Sequence, residues 1–419
     1  MAALVARLSW TLWTAPVPPL LSDPEYYHAT ALSLARGEGY SVVFDAESGF
    51  APGGDATAFW PPGYSVFLGS MHWVFGESLA VARLANAVVG ALAVIPVYFI
   101  GRRLFGDFVG LVGAAIAAPL PSLVFWTPVL FADTLFTLLF ASALAFVLYG
   151  LRSDGTFNPA AIVAAGVLVA MATLIRGQAL ILITLAPVWW VLEGSRVRGA
   201  LRWAAVALAP TLVVLGAWTV RNVVAIESPI VLSANFGYNL RVGHAPYSTG
   251  RYILPHDLWS APPGTTFQER EMSFNDRGTR RAIDYALGNP KSELELTGRK
   301  IVGLWRPDSD VLSWVSTFGE TPLPARAWEP LRLLLDSSYL AVLALAGAWV
   351  VRFGARQPRP AWVAVSLVAL WTAVHVVFFG EPRYHLPLLV VLVPTAAAFL
   401  AEVTRYALRG RRGLHDGRP

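Results

Sequence analysis

Cysteine is absent from the 419 residues, which excludes disulfides, thiolate metal sites, a thiol nucleophile and cysteine lipidation. Charge is scarce: 14% of residues are Asp, Glu, Lys or Arg, against about 25% in soluble globular chains. Lysine occurs only as Lys291 and Lys300, so the 32 basic residues are nearly all arginine. Set against 27 acidic residues they leave a formal charge of +5. An Ala- and Arg-rich chain with almost no Lys is what a GC-rich genome produces, so the basic balance points to no nucleic-acid partner. What abounds is apolar. With 55% hydrophobic residues and a mean hydropathy of +0.53, the chain is not a soluble protein.

Apolar stretches long enough to cross about 30 Å of hydrocarbon recur from end to end. They run over 78–100, 108–125, 129–150, 160–175, 178–192, 203–220, 338–351, 361–379 and 385–401, which predicts about nine complete transmembrane helices, some of them short. The stretch Ala2 to Leu21 is also apolar, but it contains Arg7 and then Pro16, Pro18 and Pro19. Its helical part rises only about 20 Å at 1.5 Å per residue, so it reads as the outer end of a truncated first transmembrane helix, as a misplaced start codon would leave. A cleaved signal peptide is the rival reading, but a basic n-region and a clean cleavage site are missing.

Lys and Arg accumulate in cytoplasmic loops. The turns after alternate spans carry Arg102 and Arg103, Arg152, Arg196, Arg198 and Arg202, Arg352, Arg356 and Arg359, and the tail Arg405, Arg409, Arg411 and Arg412. That face is therefore cytoplasmic. The segment 22–77 holds Asp23, Glu25, Glu38, Asp45, Glu47, Asp55 and Glu77 against the single basic Arg36, and belongs outside. The expected organisation is a truncated span (1–21), a first extracytoplasmic loop (22–77), a six-helix membrane region (78–220), an extracytoplasmic loop subdomain (221–337), three C-terminal spans (338–404) and a basic cytoplasmic tail (405–419). The long loop is too long and polar for a turn. Within it, 268–287 has helical character, and Leu294, Leu296, Ile301, Val302, Leu304 and Trp305 with Arg299 and Lys300 predict an amphipathic helix on the membrane surface.

Ionisable groups in or beside membrane spans are costly and become functional candidates. Arg83, Asp133, Arg176, His375, Glu381, Arg383 and His385 all fall near the outer ends of their helices, on the same side as Asp23 and Glu25. Charges of both signs gathered there suggest a polar cleft opening outward. Pro24 suits the first position of a helix, which makes Asp23 its N-cap, and Ser22 with Glu25 matches a capping box. Asp23 thus fits either a cap or a functional carboxylate, whereas Glu25 fits a cap better. His244, His375 and His385 lack tight metal-ligand spacing, so no divalent metal or other cofactor is expected. Trp60, Tyr64, Tyr238 and Tyr384 suit stacking on a sugar or an interfacial aromatic belt.

Several stretches, in this order and spacing, resemble a known group. They are SDPEYYHATALSLARGEGY at 22–40, WPPGYSVFL at 60–68, ARLANA at 82–87, GRRLFG at 101–106, FADTLF at 131–136, LIRG at 174–177, RN at 221–222, NFGYNLRVGHAPYSTG at 235–250 and EPRYHLP at 381–387. The sequence resembles the polyprenol-phosphate-sugar-dependent glycosyltransferases of the GT-C superfamily, the family 39-like group of protein O-mannosyltransferases and lipid A aminoarabinose transferases. The resemblance covers nearly the whole chain. It implies an all-α polytopic GT-C-like membrane fold with juxtamembrane helices in the first outer loop, matching Pro24 to Arg36 and Pro62 to Phe75. It also implies a catalytic aspartate in that loop, at Asp23. Pro24 separates Asp23 from Glu25 where the protein mannosyltransferases have an adjacent acidic pair, which weakens the case for a protein acceptor.

The chemistry agrees with the topology. A polyprenyl-phosphate sugar keeps its chain in lipid and its phosphate at the interface, where arginine binds it bidentately. Arg383 is the first candidate for that phosphate, followed by Arg176 and Arg83; interfacial snorkelling and helix capping are the plainer readings of these arginines. Glu25, Tyr27, Tyr64, Asp133, Tyr238, Asn239, His244, Glu381, Tyr384 and His385 are candidate substrate contacts, though Asp133 also suits simple neutralisation of a buried arginine. The expected activity is inverting transfer of a sugar from a polyprenyl-phosphate donor to a cell-envelope glycan, lipid or protein, outside a bacterial cytoplasmic membrane. A polytopic lipid or sugar transporter is the alternative. It calls for paired interrupted helices and midplane charges, which the sequence does not display.

Overall fold

The computed structural model describes residues 1–259, 265–319 and 323–415, with side chains as far as residue 406. The end of the expected tail, 416–419, lies outside the described residues, as do the side chains of Arg409, Arg411 and Arg412.

Helix α1 (Ala2–Thr14) carries Arg7 into the protein instead of into lipid. Its Nη1 donates to the carbonyls of Ala3 at 3.0 Å and Ala118 at 2.8 Å, and Gly90 opposite leaves no Cβ to fill the space its guanidinium needs. Trp10 stacks on Phe125 at 4.0 Å and donates to the Phe125 carbonyl. A charged residue in an apolar helix is tolerated because the helix docks against protein carbonyls.

Beyond α1 the chain forms α2 (Asp23–Ala35), an antiparallel hairpin of β1 (Ser41–Asp45) and β2 (Gly49–Ala56), and α3 (Gly63–Phe75). The two juxtamembrane helices are where they were expected. The hairpin was not, and it is the one named sheet in an otherwise helical described structure. Helices α4 (Leu79–Leu92) and α5 (Val94–Phe105) follow end to end as one apolar segment of 27 residues. The span expected over 108–125 instead divides into α6 (Asp107–Ala117) and α7 (Pro121–Phe125), because Pro121 has no N–H to extend the helix and takes the first position of a new one.

Next come α8 (Asp133–Leu148), α9 (Pro159–Thr173), a 3₁₀ turn at Gly177–Leu180 leading into α10 (Ile181–Leu192), and α11 (Val197–Ile226). The polar segment contains α12 (Phe236–Gly243), α13 (Phe267–Gly288), α14 (Pro290–Leu304) and α15 (Asp310–Phe318). Both helices expected within it are present, α13 closed by a Thr266–Glu269 capping box. The C-terminal part is α16 (Ala325–Phe353), which begins well before the expected Ser338, then α17 (Pro358–Val377), a 3₁₀ segment at Pro382–Leu388, and α18 (Leu389–His415).

By length and composition five segments can cross a membrane, and four shorter apolar helices accompany them. This is a multi-pass membrane protein. Burial sorts the spans: the most apolar window of Pro382–Tyr406 is 78% buried, that of Val197–Ile226 only 22%. The core therefore runs along α8 and α18, where Phe136, Phe140, Leu144, Val390, Val391 and Val393 are fully enclosed, while α11 and α16 turn apolar faces outward as lipid-facing helices do.

Candidate active site

Four chain segments bring charge to one point. Asp23 opens α2, Asp133 opens α8, Arg176 precedes the 3₁₀ turn before α10, and Arg383 lies in the 3₁₀ segment before α18. Asp133 is buried, with its side chain 3% exposed, and Arg176 Nη2 donates to its Oδ2 at 2.9 Å. Arg383 spans the two carboxylates: Nη2 donates to Asp23 Oδ2 at 3.2 Å, and Nη1 lies 3.7 Å from Asp133 Oδ2. Asp133 also sits at the positive end of the α8 dipole. The Arg383 guanidinium lies 3.8 Å from the Phe131 ring centre, and Tyr384 is sandwiched between Arg383 at 5.2 Å and Arg176 at 4.9 Å.

The structure corrects the capping assignment. Ser22, not Asp23, is the N-cap of α2, its Oγ accepting from the Glu25 amide at 3.4 Å. The box is only half formed, since Glu25 Oε2 accepts from the Leu21 amide at 2.7 Å instead of from Ser22. Helical geometry at Asp23 leaves its carboxylate free to reach Arg383, 360 residues away in sequence. Glu25 turns the other way, its carboxylate against Gly49 at the hairpin turn, where any Cβ would clash. Burial pushes the Glu25 carboxyl up, and amides of Leu21 and Phe50 partly offset this.

Two arginine nitrogens at this point, Arg383 Nη1 and Arg176 Nε, are buried without a hydrogen-bond acceptor among the described residues. A buried unsatisfied donor costs about 1–3 kcal/mol, more when charged. Two of them beside each other make a place where an anion would be stabilised.

A cavity of about 480 Å³ reaches this cluster at Arg176 and Tyr384. At the polar end stand Tyr27, Trp60, Arg176, Asn235, Asn239 and Tyr384; deeper in, Leu180, Ile181 and Thr184 of the α10 region face Leu370 and Val374 of α17. Tyr27 is braced edge-on by Tyr64 at 5.1 Å, whose hydroxyl accepts from Asn86 at 2.9 Å. Tyr238 packs against Phe59 and Phe274 and shares a 2.9 Å hydrogen bond with Tyr252.

Other expected contacts lie elsewhere. Arg83 is buried on α4, where its charge and that of His72 act with burial to push His28 down to about 4. Glu381 accepts from the Tyr252 amide at 2.8 Å and pairs with Arg251 at 3.1 Å, so it fixes a loop instead of facing the cavity. His244 bonds Glu293 at 2.8 Å and the Val377 carbonyl at 2.8 Å, beside Lys300 Nζ at 3.2 Å, whose burial pushes it down to about 8. His385 is fully enclosed, stacked on Tyr339, with Nδ1 on the Leu304 carbonyl at 2.7 Å and Nε2 3.0 Å from Asp308. Position in the sequence put these side chains at the right end of their helices but not on the right face.

One element escaped sequence reasoning altogether. Glu271 of α13 is buried and accepts from Thr57 Oγ1 at 2.6 Å and the Ala58 amide at 3.0 Å. Arg221 reinforces the same strand end by donating to the Thr57 carbonyl at 2.8 Å and to the Tyr40 carbonyl at 2.6 Å. Together they hold the chain that leads into Trp60 and Pro61 at the cavity wall. Loss of solvent outweighs these bonds and raises the Glu271 carboxyl to about 7. Nothing in the sequence around Glu271 signals this.

Residues 60–219 match the family model described as dolichyl-phosphate-mannose-protein mannosyltransferase. A search of curated proteins finds no sequence match. Among solved structures, the chain superposes over its full length on the oligosaccharyltransferase AglB from Archaeoglobus fulgidus, solved with an inhibitory peptide and a dolichol-phosphate, at a TM-score of 0.54 and 15% identity. It covers 52% of AglB, about half the length of that protein. A looser match, TM-score 0.41 at 15% identity over 94% of this chain and 75% of the other, is to ArnT from Cupriavidus metallidurans bound to undecaprenyl phosphate. The fold is that of the GT-C membrane glycosyltransferases, as the resemblance in the sequence implied.

Proposed function

We propose that this chain is an inverting glycosyltransferase that moves a sugar from a polyprenyl-phosphate donor to a cell-envelope acceptor. The observation that carries the reading is the juxtaposition of Asp23 with the partly unsatisfied Arg383 and Arg176, the last of which lines a cavity that also has an apolar wall. A polyprenyl phosphate divides in the same way, with an anionic head and a hydrocarbon tail. AglB, the relative by fold that was solved with a dolichol-phosphate, supports the donor class.

In this reading the tail lies between Leu180, Ile181, Leu370 and Val374, and the phosphate meets Arg383 and Arg176. Asp23 takes the proton of an acceptor hydroxyl as that oxygen attacks the anomeric carbon. The bond between the anomeric carbon and the phosphate oxygen breaks on the opposite face, so configuration inverts. Electrons of that bond leave with the lipid phosphate, whose growing charge the arginines stabilise. Aromatic walls at Tyr27 and Trp60 suit a sugar face. The reading places the protein in a bacterial cytoplasmic membrane with this site on the extracytoplasmic side, where the acidic loop 22–77 was assigned by charge. No metal takes part in the proposed step.

The test is mass spectrometry of transfer products from membranes holding wild-type protein or Asp23→Asn, given mixed polyprenyl-phosphate sugars, envelope acceptors and, in one arm, EDTA. A glycosylated product that survives EDTA and falls by roughly 10²–10⁴-fold in Asp23→Asn is expected. Equal product from both proteins would remove Asp23 from the chemistry. Lipid or sugar movement across sealed vesicles without any transfer would replace the enzyme with a transporter.

A further inference from the structure

A second groove, of about 610 Å³, opens on the surface between the Thr249–Arg251 loop and α14. It holds three arginines, Arg251, Arg299 and Arg306, against one carboxylate, Glu295. The arginines are not equivalent. Arg251 is a fixed wall, paired with Asp310 and with Glu381. Arg299 and Arg306 are exposed and form no ion pair among the described residues, although Glu295 lies one helical turn before Arg299. Proteins usually scatter surface charges of both signs, so two uncommitted guanidinium groups facing one groove call for an anion.

The loop can approach α14 this closely because of two glycines. Gly250, at φ +88°, brings its backbone against Arg299, where a Cβ would come within 2.6 Å of the Arg299 Cβ. Gly303 lies under Arg251 and against the Gly380 carbonyl, with no room for a side chain. The groove is thus a built surface of the fold.

The rest of the exposed face of α14 says what kind of anion. At 100° per residue, Ile301, Leu294, Gly298, Val302, Glu295 and Arg299 follow one another around the helix, so the face passes from apolar to basic. Leu294 is 76% exposed and Val302 64%. The helix packs on the membrane helix α17, which keeps it close to the bilayer. An exposed apolar edge bordering arginines is the pattern of a helix lying in a lipid headgroup layer.

We propose that this groove binds the phosphate of an anionic phospholipid, with Arg299 and Arg306 on the phosphate oxygens and Leu294, Ile301 and Val302 against the acyl region. The site is separate from the cavity at Asp23 and does not depend on glycosyl transfer. Full-length protein, exchanged into a neutral detergent and titrated with phosphatidylglycerol or phosphatidylcholine, is followed by native mass spectrometry. Wild type should retain phosphatidylglycerol over phosphatidylcholine, and Arg299→Gln with Arg306→Gln should lower that retention about tenfold, the equivalent of about 1.4 kcal/mol. Glu295→Gln, which removes the one opposing charge, should raise retention severalfold. Because these side chains are exposed and unpaired, the melting temperature should not move, so the loss is not one of folding. Unchanged phosphatidylglycerol retention in the double variant overturns the site. Displacement of the lipid by millimolar inorganic phosphate, with phosphate alone raising the melting temperature, overturns the lipid assignment in favour of a soluble anion.

Discussion

The buried Glu271 makes stability fall as pH rises. Its carboxyl titrates near 4.5 in an unfolded chain and about 7 in the folded one. Below pH 4.5 both states are protonated and the group contributes no pH dependence. Between 4.5 and 7 the unfolded chain releases the proton and the folded one retains it, so the folded state binds more protons and loses stability with every increment of pH. Above 7 the penalty is complete. At 1.4 kcal/mol per tenfold it amounts to about 3 kcal/mol. An unfolding entropy of roughly 2.1 cal/mol/K per residue gives about 0.9 kcal/mol/K over the whole chain, hence a drop of about 3 °C in melting temperature, and more where only the extramembrane part opens. Glu271→Gln has no charge to lose, keeps an acceptor for the Ala58 amide and can donate to Thr57 Oγ1. Thermal denaturation of both proteins from pH 4.5 to 8 should therefore show curves that diverge between 4.5 and 7, with the wild type falling relative to the variant. Parallel curves would refute the argument that desolvation outweighs the hydrogen bonds at Glu271.

Three further outcomes follow from the site. Arg383→Lys keeps the charge but cannot bridge Asp23 and Asp133, and should lower kcat by roughly 10²–10³-fold, the range seen when a fixed donor to developing negative charge is lost; steady-state kinetics with a saturating donor measures it. Val374→Trp fills the apolar end of the cavity and should raise KM for a long-chain donor about tenfold, with little change for a donor truncated to a few isoprene units. In a direct binding assay, Asp23→Asn should hold polyprenyl phosphate at least as tightly as wild type while failing to transfer sugar.

Much of the architecture is written in hydropathy, because spans and amphipathic helices obey a 3.6-residue period that any window detects. The helix at 23–35 was also legible, through Pro24, and that at 63–75 through the family resemblance. The β1–β2 hairpin was hidden, since β2 contains Pro52, Gly53, Gly54 and Asp55, residues that strands disfavour. It is held by tertiary contacts, including the amide of Gly53 on Ser33 Oγ at 2.8 Å. At the site, sequence placed Asp23, Asp133, Arg176 and Arg383 at helix ends on one side, and folding joins them. The same reasoning applied to His244, Glu381 and His385 located the end but not the azimuth, and a helix end offers side chains every 100°. Glu271 was illegible for a different reason: its partners are backbone and hydroxyl groups 213 and 214 residues away, which carry no charge signature.

In the proposed function, the cluster's charge balance couples seating of a donor to freeing of a base. Asp23 and Asp133 offset Arg176 and Arg383, so the resting group is neutral, and its two unsatisfied arginine nitrogens are what an incoming phosphate first meets. A phosphate takes the full charge of Arg383 when one carboxylate yields its place. Asp133 is the harder to move: its side chain is 3% exposed, it lies within 4 Å of both arginines, and it occupies a helix N-terminus. Asp23 is 26% exposed and, among the described residues, pairs with Arg383 alone, at 3.2 Å. In the proposed reading, exchange occurs at Asp23, where the incoming phosphate replaces one anionic partner of Arg383 with another at little cost in charge. The carboxylate released by that exchange is the one placed to take a proton from an acceptor hydroxyl. An enzyme so arranged keeps its base masked until the donor is bound, which protects it from idle hydroxyls. Asn at position 23 removes the competitor as well as the base, and for that reason binding and transfer should separate in that variant.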